Sequence, residues 1–290
     1  MQEFKGKVAV ITGAASGFGR EFARIGSQLG MKLVLADVQR DALDAVVDEL
    51  RATGCQAIGE TTDVSKDASV ETLADRAYAE FGAVHLLFNN AGVGGGGGLV
   101  WECSERDWQW VLNVNLWGVV HGVRHFVPRM LAAGTPGHIV NTASVAGLLS
   151  ASGMGVYNVS KHAVVTLTET LYHDLKTVNS SLGVSVLCPA YVATGIADSE
   201  RNRPAELANE AEPTASQKLA RVSLQKAVSS GKLKPADIAQ QTFEAIRADR
   251  FYVLTHRAIL PSVELRCQDV LQLRNPTDPF SLKPELKSRV

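Results

Sequence analysis

Short apolar runs alternate along this chain with stretches whose apolar residues recur at helical spacing. The runs at residues 7–12, 32–37, 56–61, 85–88, 138–142 and 184–187 are rich in Val, Ile and Leu. They are nearly continuous rather than alternating, the pattern of strands covered on both faces. Between them, residues 17–28, 40–52, 67–81, 105–131 and 157–178 read as helices. The last carries Val159, Ala163, Val164, Leu167, Leu171 and Leu175 as one broad apolar stripe. Trp108, Val111, Val114 and Trp117 in residues 105–131 read as packing or subunit-contact residues. Such alternation predicts an α/β fold with a parallel sheet wound on both sides.

The pattern breaks after Pro189. Residues 195–233 are polar and helix-prone, regularity returns at 234–247, and residues 251–254 form a last strand candidate. A segment inserted beside the strand ends, about 190–233, reads as a lid over a site. The expected organisation is one domain, residues 1–258, followed by a tail, 259–290. The tail holds Pro261, Pro276, Pro279 and Pro284, and is read as part helix, part irregular, packing on a neighbouring subunit.

Composition narrows the function classes. With 290 residues, 46% of them hydrophobic, the chain can bury a large single core. The formal net charge is -1 and no basic stripe stands out, which argues against nucleic acid. No uncharged apolar run of about 18 residues suggests a membrane span, and no leader pattern is seen at the start. Cys55, Cys103, Cys188 and Cys267 are far apart, so neither zinc nor a disulfide framework is expected and a cytoplasmic setting fits.

Candidate chemistry begins at TGAASGFG, residues 12–19, directly after a strand and before a helix. Gly13 permits a sharp turn, Gly17 lets the backbone approach a pyrophosphate, and Gly19 lets the helix pack closely. The helix N-terminus offers unpaired N–H groups to phosphates. A tight turn without a ligand is the competing reading. Asp37 ends the second strand, where a carboxylate can accept both hydroxyls of an adenosine ribose and repel a 2′-phosphate. Val38 follows it, so NAD(H) is favoured, while the nearby Arg40 keeps NADP(H) possible. Asp63 either meets adenine or caps a helix.

Tyr157 and Lys161 are four residues apart, which places them on one helix face, about 6 Å apart along the axis. A tyrosine with a pKa near 10 is a poor base. A nearby ammonium and an oxidised nicotinamide would both stabilise its phenolate, making Tyr157 an acid/base for an alcohol or carbonyl. Ser144, thirteen residues upstream at a strand end, can donate to the substrate oxygen. Asn115 lies within a predicted helix. It is either a surface or packing amide or the mark of a helix distortion, whose freed carbonyl could hold a water linking Lys161 to solvent.

Together these motifs resemble the classical short-chain dehydrogenase/reductases. TGAASGFG, NNAG (residues 89–92), Asn115, Ser144 and YNVSK (residues 157–161) match that family's spacings over about residues 5–255. The resemblance implies a Rossmann-type sheet of about seven strands, order 3-2-1-4-5-6-7. It implies a catalytic tetrad of Asn115, Ser144, Tyr157 and Lys161. The implied cofactor contacts are Gly13, Ser16, Gly17, Phe18, Gly19 and Asp37, then Asp63 and Val64 at adenine. Asn90 is expected to contact ribose or support the sheet, with Ala91 and Gly92 beside it. Tyr157, Lys161, Pro189, Val192 and Thr194 complete the set, and a homotetramer or homodimer is implied.

Two features depart from the family. Pro189-Ala190 stands where Pro-Gly is usual, and five glycines, residues 94–98, follow NNAG as either a flexible pocket mouth or a structureless connector. His121 and His125 have zinc-compatible helical spacing, but no suitably spaced acid completes a site, so no metal is expected. The expected activity is hydride transfer between NAD(H) and a small-molecule secondary alcohol or ketone. Val93, Val145, Met154, Tyr191 and Ile196 are the candidate pocket wall. A non-catalytic cofactor-sensing protein on the same fold is the alternative. An enoyl reductase fits less well, since those enzymes space the tyrosine and lysine more widely.

Overall fold

The computed structural model describes residues 1–282. The part of the predicted tail at residues 283–290, Pro284 included, lies outside the described residues. The strands are β1 (Val8–Thr12), β2 (Lys32–Asp37), β3 (Ala57–Thr61), β4 (Leu86–Asn89), β5 (Gly137–Thr142), β6 (Leu182–Leu187) and β7 (Tyr252–Val253). They form one sheet in the order β3-β2-β1-β4-β5-β6-β7, the Rossmann-type order. Every pairing is parallel, with Ala9 opposite both Leu33 and Leu86.

Continuous apolar runs are needed because both faces are covered. One face sends Ala9, Ile11, Leu33, Leu35 and Phe88 toward α1 (Gly17–Gln28), α2 (Arg40–Ala52) and α8 (Pro235–Arg247). There Phe22 of α1 stacks on Phe88, with ring centroids 4.5 Å apart. The other face sends Val8, Val10, Val34, Leu87 and Ile139 toward α3 (Asp67–Phe81), α5 (Gly118–Ala132) and α6 (Gly155–Thr177). Burying such side chains contributes about 1.5–3 kcal/mol each.

The helix predicted at residues 105–131 is present without a gap, with a π turn, Asn113–Trp117, between α4 (Glu105–Leu112) and α5. The widened turn accommodates the fully buried Asn115. The polar segment after Pro189 forms short turns at Gly195–Asn202 and Ala205–Leu207, then α7 (Ala215–Ser229). After β7 come a turn, Arg257–Ile259, and α9 (Leu260–Leu271). Strand ends, the segment after Pro189 and part of the tail therefore meet at the carboxyl edge of the sheet.

Candidate active site

The glycine loop is shaped by contacts that a Cβ would block. Gly13 has φ +64°, and a Cβ there would stand 2.9 Å from Ala91 Cα. At Gly19 a Cβ would fall 2.1 Å from the Gly13 carbonyl oxygen, so only glycine lets α1 start this close to β1. Ser16 occupies the N-cap of α1 without capping it through its side chain. Asp37 ties the loop to β2: Oδ2 accepts the Ala15 N–H at 3.0 Å and Oδ1 accepts the Gln39 N–H at 3.0 Å. Arg40 is turned along its own helix toward Asp44, 3.4 Å away.

Thr12 is the hub of the strand ends. Its hydroxyl accepts the Asn90 and Ala91 N–H groups at 2.9 and 3.1 Å and donates to the Phe88 carbonyl at 3.2 Å. Asn90 returns an Nδ2 bond to the Thr12 carbonyl at 2.9 Å and accepts from the Thr142 hydroxyl at 3.3 Å. That geometry supports the sheet, one of the two roles anticipated for Asn90. Asp63 forms a local turn, its Oδ1 accepting the Ser65 N–H at 3.0 Å and hydroxyl at 2.7 Å.

Lys161 and Tyr157 start α6. Lys161 Nζ donates to the Thr142 carbonyl at 3.0 Å and stands 5.7 Å from the Tyr157 ring centroid. The Ser144 hydroxyl, which shares the cavity border with Tyr157, favours ionisation of its phenol. Ser144 Oγ donates to the Pro189 carbonyl at 3.3 Å and accepts the Ala146 N–H at 3.1 Å. Burial dominates the electrostatics here. It pushes the Tyr157 phenol up to about 12, with the Ser144 bond opposing it, and pulls the Lys161 ammonium down to about 8. The sequence-based expectation of a phenol acidified by its lysine is therefore not met in the protein alone, because desolvation penalises both charged forms.

The named residues converge. A cavity of about 720 Å³ is bordered by Ser144, Tyr157 and Lys161, by Gly13, Ser16, Gly17, Phe18 and Asp37, and by Asp63, Val64, Asn90, Ala91 and Gly92. Pro189, Val192 and Thr194 lie on the same wall, as do Val93, Val145, Met154, Tyr191 and Ile196. Gly19 and Asn115 stand behind it. The Asn115 side chain bonds to the Val93 backbone and to Ser160 Oγ, 3.1 Å away, rather than facing the cavity.

This arrangement has known counterparts. The short chain dehydrogenase family pattern matches residues 7–205. The chain belongs to the short-chain dehydrogenase family. These are oxidoreductases that bind nicotinamide cofactors. The CLA biosynthesis dehydrogenase/reductase of Lactiplantibacillus plantarum is 36% identical over 93% of this chain and 95% of its own length. The cyclohexanol dehydrogenase of an Acinetobacter strain is 36% identical over 66% of this chain and 75% of its own. A crystal structure of a short-chain dehydrogenase/reductase from Burkholderia phymatum in complex with NAD is 63% identical. It covers 97% of this chain and 100% of that one, with a TM-score of 0.95.

Within this short-chain dehydrogenase, Ala190 replaces the usual glycine without positive φ, and its N–H donates to His256 Nδ1 at 3.3 Å. The five glycines carry one isolated bridge, Gly98 to Met154. Gly95, Gly97 and Gly98 have positive φ, and Gly98 N–H donates to the Gly153 carbonyl at 2.9 Å. They pack under α7, whose first turn is stitched to Glu102 by the hydroxyls of Ser216 and Thr214. Arg203 anchors the lid to α4 through a buried ion pair with Asp107 at 2.8 Å.

Sequence reasoning missed Thr12 as hub, Ser160 under Asn115, and the tail. Ile259, Ser262, Pro279 and Phe280 border the cavity of their own chain. Asp67 of α3 supplies a carboxylate beside His125 at 2.9 Å and His121 at 3.8 Å, but Arg124 shares it at 2.8 Å. No cluster suited to a metal ion occurs among the described residues. No helix among them is long and apolar enough to cross a membrane.

Proposed function

We propose that this protein transfers hydride between NAD(H) and a secondary alcohol or ketone, with Tyr157 as the acid/base. The observation that carries this reading is a shared wall: Ser144, Tyr157 and Lys161 border the same cavity as the glycine loop and Asp37. The residues fit a dinucleotide. Positive φ at Gly13 and Gly17 leaves the backbone bare where a pyrophosphate would lie, with the N-terminus of α1 facing it. Ser16, Gly17, Phe18 and Thr194 would hold the phosphates, Asp37 the ribose, Val64 and Asp63 the adenine, and Lys161 the nicotinamide ribose. Bound there, the cofactor supplies hydride transfer to or from the carbon.

The chain's own groups handle the proton. The Ser144 hydroxyl holds the substrate oxygen against Tyr157. The phenol, held protonated by burial, donates to a carbonyl oxygen during reduction, and in oxidation its phenolate takes the proton from the alcohol. Lys161, fixed on the Thr142 carbonyl, stands beside it as the group through which the proton is replaced. Asn115 acts by positioning, holding Val93 and the start of α6.

Preference for NAD(H) over NADP(H) is supported by Asp37 in the cavity, by Arg40 being paired with Asp44, and by the NAD in the similar Burkholderia protein. The apolar wall supports a small apolar ketone or alcohol, in line with the cyclohexanol dehydrogenase relative. Assembly as a homotetramer or homodimer through the long helices is supported by Trp117 and Val159, both about half exposed. The four free cysteines fit a reducing, cytoplasmic setting.

The test is NADH oxidation followed optically with a panel of cyclic and aryl ketones. Turnover that depends on ketone supports the reading. Tight NADH binding without oxidation by any ketone favours a cofactor sensor instead.

A further inference from the structure

Tyr191 and His256 lie on the cavity wall and have no part in the chemistry above. They are neighbours through the backbone, since His256 Nδ1 accepts the N–H of Ala190, the residue before Tyr191, at 3.3 Å. Thr255 Oγ1 stands 2.9 Å from the same nitrogen. A ring nitrogen that accepts carries no proton, so the neutral imidazole bears its hydrogen on Nε2 and is a donor there. Nε2 has no protein partner among the described residues, nor does the Tyr191 hydroxyl. Both residues border the cavity and both are only partly buried. Tyr191 is also among the groups that act on Tyr157, opposing its ionisation.

The surrounding wall is apolar, formed by Leu149, Met154, Ile196, Leu207 and Leu224. Arg201, which borders the cavity as Lys161 and Lys232 do, spends its guanidinium on the Gly195 and Asp198 carbonyls at 3.0 and 2.7 Å. It is thus committed to the lid. Two unpartnered donors in an apolar surround favour a ligand that brings an acceptor, because a partly buried polar group without one is costly.

We infer that Tyr191 and His256 form a polar subsite beside Tyr157 that selects alcohols and ketones carrying a second oxygen, as ether, hydroxyl or carbonyl, near the reacting carbon. This rests on the hydride-transfer reading for which carbon reacts. A site with such donors discriminates against an isostere lacking the acceptor.

The experiment compares 2-methoxycyclohexanone with 2-ethylcyclohexanone, which differ by one ether oxygen in place of a methylene. Two readouts are used: kcat/KM with NADH, and ketone affinity by calorimetry on protein saturated with oxidised NAD, where the ketone cannot turn over. Wild type is expected to prefer the methoxy ketone by about tenfold in both. Tyr191→Phe and His256→Asn are each expected to lower that ratio at least about threefold, and the double variant to bring it near one. His256→Asn keeps an acceptor for the Ala190 N–H and leaves no donor at the Nε2 position, its own amide donor lying closer to the backbone. Equal affinity for the two ketones in wild type overturns the subsite, as does a preference that survives both substitutions. Absence of turnover with either ketone counts against the hydride-transfer reading alone, since the calorimetric ratio still decides the subsite.

Discussion

Asn115 grips Val93 by both ends of its backbone: Oδ1 accepts the Val93 N–H at 2.8 Å, and Nδ2 donates to the Val93 carbonyl at 2.9 Å. The second Nδ2 hydrogen reaches Ser160 Oγ at 3.1 Å, and Ser160 donates to the Tyr157 carbonyl at 2.8 Å. One side chain thus fixes the loop after β4, the π turn and the first turn of α6 relative to one another. Asn115→Ala leaves both Val93 backbone groups without their partner. We predict a loss of about 2–4 kcal/mol in denaturant unfolding together with a fall in kcat. Wild-type stability in that variant would show that the clamp is dispensable.

Asp37 does two jobs with one carboxylate, bracing the Ala15 and Gln39 amides while bordering the cavity. Asp37→Ala is predicted to weaken NADH binding about tenfold or more and to narrow the gap between NADH and NADPH. Fluorescence titration with each cofactor measures this. A wild type that already prefers NADPH contradicts the assignment.

The glycines under the lid are not interchangeable. At Gly98 φ is +108°, and a Cβ would stand 2.6 Å from Gln217 Cγ of α7, whereas a Cβ at Gly96 meets nothing within 4 Å. Gly98→Ala is predicted to cost more than about 1 kcal/mol and to raise KM for bulky ketones by displacing α7. Gly96→Ala is predicted to change stability by less than about 0.5 kcal/mol. Paired thermal melts and KM values separate the two, and equal effects would show that α7 does not depend on this packing.

His138 is fully buried in β5, with Nε2 2.8 Å from Ser185 Oγ, and burial lowers its pKa to about 3. An unfolded chain binds a proton there below about pH 6.5 while the native state does not. Stability is therefore full above that pH and falls as the pH drops toward 3, by up to about 1.4 kcal/mol per pH unit. Replacement by Gln is predicted to flatten the acid limb of unfolding free energy against pH. An unchanged limb would place the acid sensitivity elsewhere.

Much of the sheet was legible because its runs are apolar on both faces, as at residues 32–37, where sequence and structure bounds coincide. Edges were less so: β7 is only Tyr252–Val253, since a strand paired on one side ends where its single partner does. The placement of the glycine loop between strand and helix, and of Tyr157 and Lys161 on one helix, was legible because turn and helix geometry are local. A helix distortion at Asn115 was one of two readings open, and its form, a π turn, depends on Asn115 finding Val93 and Ser160, residues 22 and 45 positions away. Spacing shows the lysine beside Tyr157, but the desolvation that opposes ionisation in the protein alone belongs to the closed site.

The central claim concerns the Tyr157 proton. Since burial holds the phenol near 12, reduction is predicted to be level through neutral pH and oxidation to rise with alkalinity, as a positively charged nicotinamide lowers the phenol's pKa into reach. The most direct test is ketone-dependent NADH oxidation by Tyr157→Phe, with NADH binding measured on the same sample. The account predicts a loss of about 10²–10⁴ in kcat with cofactor affinity retained. A rate within a few-fold of wild type would show that another group delivers the proton.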